Sequence, residues 1–187
     1  MIVTGGRSGI CPKIWGPPAW TVLHWLSFRM KPREALAFYS AIGEILPCGK
    51  CRHNYMTHMS HLPFNKANIG LWVYRMHNRI NAEVGDNTAV PPRYEDVKRK
   101  YQTVVEPPKE QAWVFLRCVV NTHPGAREAS AEYVAALTVC FMSLSKYFGV
   151  PDVPVNYKSR ALLKAWFKKN VHTPLTTHVC TMEACAV

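Results

Sequence analysis

The segment Ile45-Leu46-Pro47-Cys48-Gly49-Lys50-Cys51 separates two helical patterns and carries a CxxC where they meet. Proline cannot continue a helix, since it lacks an N–H and crowds the preceding turn, but it suits the first position of the next one. Upstream, Arg33 to Leu46 (REALAFYSAIGEIL) repeats Ala, Leu and Phe at helical intervals; downstream, CGKCRHNYMTHMSH reads as a third helix opening at Pro47. Both cysteines therefore fall in an opening turn, where free backbone N–H groups lower a thiol's pKa. Lys50 and His53 add positive character. Redox chemistry is the leading reading of this pair, with zinc and inert thiols as alternatives. Zinc needs further ligands, and His58, His61, Cys180 and Cys185 match no familiar spacing.

Working outward, Pro17 to Met30 (PPAWTVLHWLSFRM) puts Trp20, Leu23, His24 and Ser27 on one side of helix one, with Pro17 and Pro18 fitted to its first turn. Lys31-Pro32 breaks it before helix two. After a loop containing Pro63, a fourth helix runs from Ile69 to Val84 and is closed by Gly85-Asp86-Asn87. A short fifth, Arg93 to Tyr101, lies between Pro91-Pro92 and Pro107-Pro108. Further helices are expected over Lys109 to Asn121, Arg127 to Phe148 and Lys158 to Val171, with turns at His123-Pro124-Gly125 and from Gly149 to Pro154. No strand alternation appears in the first hundred residues, so the chain reads as all-α. The boundaries expected are 1–106 for a first domain, 107–172 for an additional helical region, and 173–187 for a mobile tail holding two cysteines. WVFLRCVVN from Trp113 and EYVAAL from Glu132 fall 93 to 94 residues after WTVLHWLSF from Trp20 and FYSAIG from Phe38. That echo suggests a degenerate second copy without the CxxC; two ordinary amphipathic helices would look the same.

Of 187 residues, 48% are hydrophobic and 11% aromatic, which excludes a disordered chain and allows one domain or two small ones. The net charge of +11 comes from 23 Lys and Arg against 12 Asp and Glu. The cations are scattered (Arg93, Lys98, Arg99, Lys100, Lys164, Lys168, Lys169) and not interleaved with aromatics, so they read as a solvated basic surface and not a nucleic-acid site. No apolar run approaches the ~20 residues needed to span a bilayer. Met1 to Ile10 is Gly-rich and polar, unlike a secretory signal. In a chain without such a signal, close cysteine pairs suggest redox or metal chemistry before structural bridges. Cys118 and Cys140 lie in apolar helical runs and read as inert buried thiols, or as bridged to each other. Cys11 is the ambiguous seventh.

In Leu71 to Asn81 (LWVYRMHNRIN), His77 and Asn81 sit one turn apart with Tyr74 on the same side, a face that could hold a planar ring system. A lone histidine on such a helix is more often a plain polar-face residue. Together, however, WGPPAWTVLHW from Trp15, ILPCGKC from Ile45 and HNRIN from His77, in that order between Trp15 and Tyr101, resemble the Erv/ALR family of FAD-linked sulfhydryl oxidases. The resemblance implies a four-helix bundle with a short fifth helix, binding FAD. It makes Cys51 the thiol beside the flavin and Cys48 the outer thiol that meets the dithiol donor. It implies cofactor contacts from Trp15, Gly16, Trp20 and His24 on helix one, from Tyr74, His77, Asn78 and Asn81 on helix four, and from Lys98 and Tyr101 on helix five. Electrons would pass from protein dithiols through FAD to O2, giving H2O2, with no metal involved. Cys180 and Cys185 suit a second, shuttling pair, and a homodimer through the helix-one and helix-two surface is expected.

Two departures stand out. Tyr74 replaces a cysteine with which cellular relatives form a structural bridge. Glu83 and Asp86 stand where relatives carry phosphate-facing lysines, so Lys98, Lys100 or Arg93 would have to supply that charge. The small size, missing bridge and extra helical half resemble the versions found in large DNA viruses, where such enzymes support disulfide formation in virion proteins made in the host cytoplasm. The expected location is therefore the host cytoplasm, at assembly sites, and the virion. The alternatives are a redox-inactive helical interaction module that kept the fold, and a zinc-binding protein associated with nucleic acid.

Overall fold

The computed structural model describes residues 9–84, 90–149 and 156–171. Among these residues there are eight helices and no strand: α1 (Pro12–Ser27), α2 (Pro32–Ile45), α3 (Gly49–His61), α4 (Ile69–Val84), α5 (Tyr94–Thr103), α6 (Lys109–Thr122), α7 (Ala131–Phe148) and α8 (Arg160–Asn170). The expectation of an all-α chain holds. Two starts differ most from the sequence expectation: α7 opens at Ala131 and not at Arg127, because the Ser130 side chain caps it there, and α1 opens at Pro12 and runs through Pro17 and Pro18. Pro12 already occupies the first-turn position that favours proline. The donors lost at Pro17 and Pro18 would have served the carbonyls of Lys13 and Ile14, near an exposed end of the helix where water can serve them instead. Pro47 also stays outside α3, which opens at Gly49 with Cys48 as its N-cap.

Apolar residues spaced three and four apart explain the bundle. Ala19, Val22, Leu23 and Leu26 of α1 bury against Phe38, Ile42 and Ile45 of α2 and Trp72, Val73 and Met76 of α4 in one core. Two buried hydroxyls stitch the layers: Tyr39 donates to the Leu23 carbonyl at 2.7 Å, and Tyr55 of α3 to the Tyr39 carbonyl at 3.0 Å. The helices α1 and α4 run antiparallel. Phe28 at the end of α1 meets Gly70 at the start of α4, where a Cβ would collide with the phenyl ring, and His24 meets His77 further along. The α3 and α4 helices are also antiparallel, with the Trp72 indole donating to the Leu62 carbonyl at 3.0 Å and the Asn54 amide to Glu83 at 3.1 Å. Finally, the Ile10 amide donates to the Pro47 carbonyl at 3.1 Å, joining the start of α1 to the start of α3. One end of the bundle thus gathers the start of α1, the CxxC and the end of α4.

Arg29 locks α5 across this bundle. Its guanidinium donates to the carbonyls of Trp25 at 2.9 Å and Tyr101 at 3.0 Å, as well as to that of Val104, and lies over the Trp25 ring. The extra helices do not form a separate lobe. Helix α6 lies along α1, α7 along α2, and α8 against α6, and Leu116, Val119, Leu137, Cys140 and Phe141 join the same core as Leu26 and Ile42. Cys118 and Cys140 are free and buried, not bridged to each other. Burial pushes the Cys118 thiol up to about 11 and the Cys140 thiol higher still, so both stay protonated and unreactive at neutral pH.

Candidate functional site

Cys48 and Cys51 are disulfide-bonded, with their Cα atoms 5.1 Å apart. Cys48 has extended backbone, φ −143° and ψ 124°, and its sulfur accepts from the Cys51 amide at 3.2 Å. The sulfur thus takes the place of a capping oxygen at the opening turn, where backbone donors lack helical partners. Arg52 braces the loop below by donating to the Leu46 carbonyl at 2.7 Å. Gly9 crosses so near that a Cβ there would lie 2.8 Å from the Cys48 Cα, so only glycine fits. Cys11, buried at the N-cap of α1, is also disulfide-bonded.

A second cluster joins α1, α4 and α5. The Trp20 and His77 rings stack with centroids 4.1 Å apart and planes at 14°. His24 and Tyr101 stack at 5.1 Å and 12°. His24 Nε2 lies 3.0 Å from His77 Nδ1 and links the two stacks. Trp20, His77 and Tyr101 are half-buried, whereas His24 is buried. Its Nδ1 is enclosed without a hydrogen-bond partner, a state that costs about 1–3 kcal/mol when nothing compensates. Burial depresses His24 to about 3, helped by the charges of His77 and Lys100, and depresses His77 to about 4. Both imidazoles are neutral at pH 7 and share one proton along their contact. The Lys100 ammonium lies 5.2 Å from the Tyr101 ring.

This donor set fits a planar, heteroaromatic, anionic cofactor: an orphaned buried ring nitrogen, neutral imidazoles, aromatic edges at the surface and one close ammonium. Because Trp20 and His77 are in face contact, such a group meets the cluster from its exposed edges and not between those two rings.

The other sequence candidates distribute unevenly. Trp15 turns away: its indole donates to the Ile10 carbonyl at 2.9 Å and its ring lies 6.3 Å from Phe115 of α6. Nothing lies within 4 Å of a Cβ built at Gly16. The Tyr74 hydroxyl donates to the Pro92 carbonyl at 2.9 Å, and its ring packs near Tyr94, fastening α5. Asn78 is half-buried and Asn81 exposed, both within about one turn of His77. Lys98 pairs with Glu95 at 3.8 Å and Arg93 with Asp96 at 3.0 Å. Of the three cations considered for the missing phosphate-facing charge, only Lys100 is at the ring cluster. His58 Nε2 lies 3.1 Å from Glu83 of α4, which explains an acid in that stretch: Glu83 ties α4 to α3. Among the described residues no group of three or more His, Cys, Asp or Glu could hold a metal ion. Cys180, Cys185 and Asp86 lie outside the described residues. Sequence reasoning passed over Arg29, which positions Tyr101; its place four residues after Trp25 was the available signal.

The two histidines make stability depend on pH. The unfolded chain protonates them near 6.5, the folded chain only near 4 and 3, so between those values the unfolded state binds more protons. Their contribution is complete above pH 6.5 and is lost as pH falls through that window. Urea denaturation at stepped pH is expected to show stability declining below pH ~6.5, with a shallower decline in His24→Gln/His77→Gln. An identical slope in the double variant would contradict the assignment.

Residues 17–102 match the model of the Erv1 / Alr family. The chain is 27% identical over 120 residues to a probable FAD-linked sulfhydryl oxidase of Acanthamoeba polyphaga mimivirus, covering 56% of this chain and 82% of that protein. It is 30% identical over 77 residues to FAD-linked sulfhydryl oxidases from two isolates of African swine fever virus, covering 36% of this chain and 65% of each relative. The match thus spans just under two thirds of the swine fever virus proteins. No solved structure is significantly similar. The matched residues contain the CxxC, Trp20, His24, His77 and Tyr101 and end before α6, so the similarity to the Erv1 / Alr family lies in α1 to α5.

Proposed function

We propose that this protein is an FAD-linked thiol oxidase that makes disulfides in dithiol-containing proteins. The observation that carries the proposal is a disulfide at the opening turn of α3, on the same α1–α3–α4 bundle as an aromatic and histidine cluster with an unpartnered ring nitrogen. The relatives' printed names support both the activity and the cofactor.

A substrate thiolate attacks Cys48, forming a mixed disulfide and expelling Cys51 as a thiolate. The free N–H groups of the first turn of α3 stabilise that leaving thiolate. The second substrate thiolate attacks the mixed disulfide, so the substrate leaves oxidised and the Cys48/Cys51 pair holds two electrons. Trp20, His24, His77 and Tyr101 hold the cofactor, Asn78 and Asn81 extend that surface, and Lys100 faces its negative charge. FAD, when bound, supplies the two-electron oxidation that restores the Cys48–Cys51 bond, and O2 takes the electrons on, giving H2O2. We place the activity in the host cytoplasm and virion, as for a virus-encoded enzyme.

Purified protein is expected to be yellow, to bleach with dithiothreitol when oxygen is limiting, and to release peroxide in air. Cys48→Ser or Cys51→Ser should reduce turnover to background. Colourless, inactive protein would favour the redox-inactive module instead.

The homodimer implied by the resemblance uses the helix-one and helix-two surface, which α6 and α7 cover here. We propose that packing within one chain replaces the contact between copies at that surface. Sedimentation at micromolar concentration should show a single chain; a stable dimer that survives dilution would contradict this.

A further inference from the structure

Between α6 and α8 runs a groove of about 310 Å3 with Arg117, Lys164 and Lys168 on its rim and Val120, Phe167 and Val171 as its floor. The Arg117 guanidinium lies 5.5 Å from the Phe167 ring centre. The sequence of α8, RALLKAWFKKN, holds four cations and no acid. Lys164 and Lys168 are one turn apart, and like charges at that spacing weaken a helix. Among the described residues none of these side chains forms an ion pair; the pairs present involve other cations. This is a concentrated, uncompensated charge next to apolar surface.

A further cation stands at the end of the groove. Arg160, at the start of α8, donates to the carbonyl of Asn121, which also lines the groove, and its buried Nε has no partner. The buried Tyr157 hydroxyl also lacks a partner. Tyr133 of α7 stands by His123 with ring centres 5.3 Å apart, and its hydroxyl feels the charges of both Arg160 and Arg52. Arg52 adjoins Cys51 and braces the loop that presents Cys48. Arg160 thus adds its charge at the α8 end of the groove.

We propose that the α6–α8 groove docks an acidic segment of the dithiol substrate, whose carboxylates pair with the rim cations Arg117, Lys164 and Lys168. Nucleic acid fits less well, since stacking of bases needs exposed aromatic faces and Phe167 is 5% exposed. This inference rests on the thiol-oxidase proposal.

The test uses the full-length, flavin-loaded protein and three donors: dithiothreitol, a peptide with a reduced cysteine pair joined to a Glu/Leu-rich stretch, and the same peptide with Gln for Glu. Wild type should oxidise the Glu peptide with a kcat/KM about tenfold above the Gln peptide at low salt, and the gap should close by ~0.3 M salt as charges are screened. Lys164→Glu/Lys168→Glu, at exposed positions, should lose the preference while keeping its melting temperature and dithiothreitol turnover. Equal rates on both peptides in wild type, or an equal loss on both in the variant, would overturn the groove's role. So would salt-sensitive binding of a DNA duplex that requires Lys164 and Lys168 when the Glu peptide shows no such dependence. Failure of wild type to oxidise even dithiothreitol would instead overturn the oxidase proposal beneath it.

Discussion

The architecture of the site depends on a 3.0 Å contact between two neutral imidazoles, His24 of α1 and His77 of α4. Each ring is half of a stack, so this one contact aligns Trp20 with His77 and His24 with Tyr101. It requires at least one ring to be uncharged, since two imidazolium ions would present donors to each other with no acceptor between. Burial ensures this by holding both pKa values far below neutrality. The close approach of α1 and α4 that makes the contact reachable begins a turn and more away, where Gly70 leaves space for Phe28.

The second half changes what the first half can do without touching its chemistry. By lying on α1 and α2, α6 and α7 shield the apolar faces of the bundle and extend the core. The thiols on those helices, Cys118 and Cys140, are kept protonated by burial, so the added half brings no competing nucleophile near the CxxC. It brings charge instead: α8 is a cationic strip beside a groove, with four cations and no acid. A small-thiol oxidase has no need of such a surface, whereas an oxidase of folded or partly folded proteins has a use for it.

Local periodicity made most helices legible, and α4 was read to the residue because a proline-free apolar stripe fills it and the residue types Gly85-Asp86-Asn87 mark its end in the sequence. The start of α1 was not, because two sites for a first-turn proline competed and Pro17-Pro18 looked stronger than Pro12. That error carried a consequence. Counting from Pro12, Trp15 and Trp20 are five residues apart on one helix, roughly 140° around its axis, so both could not face the same ligand; Trp15 faces Phe115. Choosing among Lys98, Lys100 and Arg93 was beyond the sequence for another reason. Each sits on an exposed face of one short helix, and only the long-range anchoring of α5 by Arg29 and Tyr74 decides which of them reaches Tyr101. Long-range packing also decides the fate of Cys118 and Cys140, which spacing alone left open between free and bridged.

The most direct measurement of the central claim is the affinity of flavin-stripped protein for FAD, followed by quenching of tryptophan fluorescence, in wild type and in His24→Leu. The variant removes the contact that aligns the two stacks and leaves His77 Nδ1 without its partner, so FAD binding should weaken at least about tenfold. FAD affinity equal to wild type in a stably folded His24→Leu protein would contradict the claim that this cluster is the cofactor's seat.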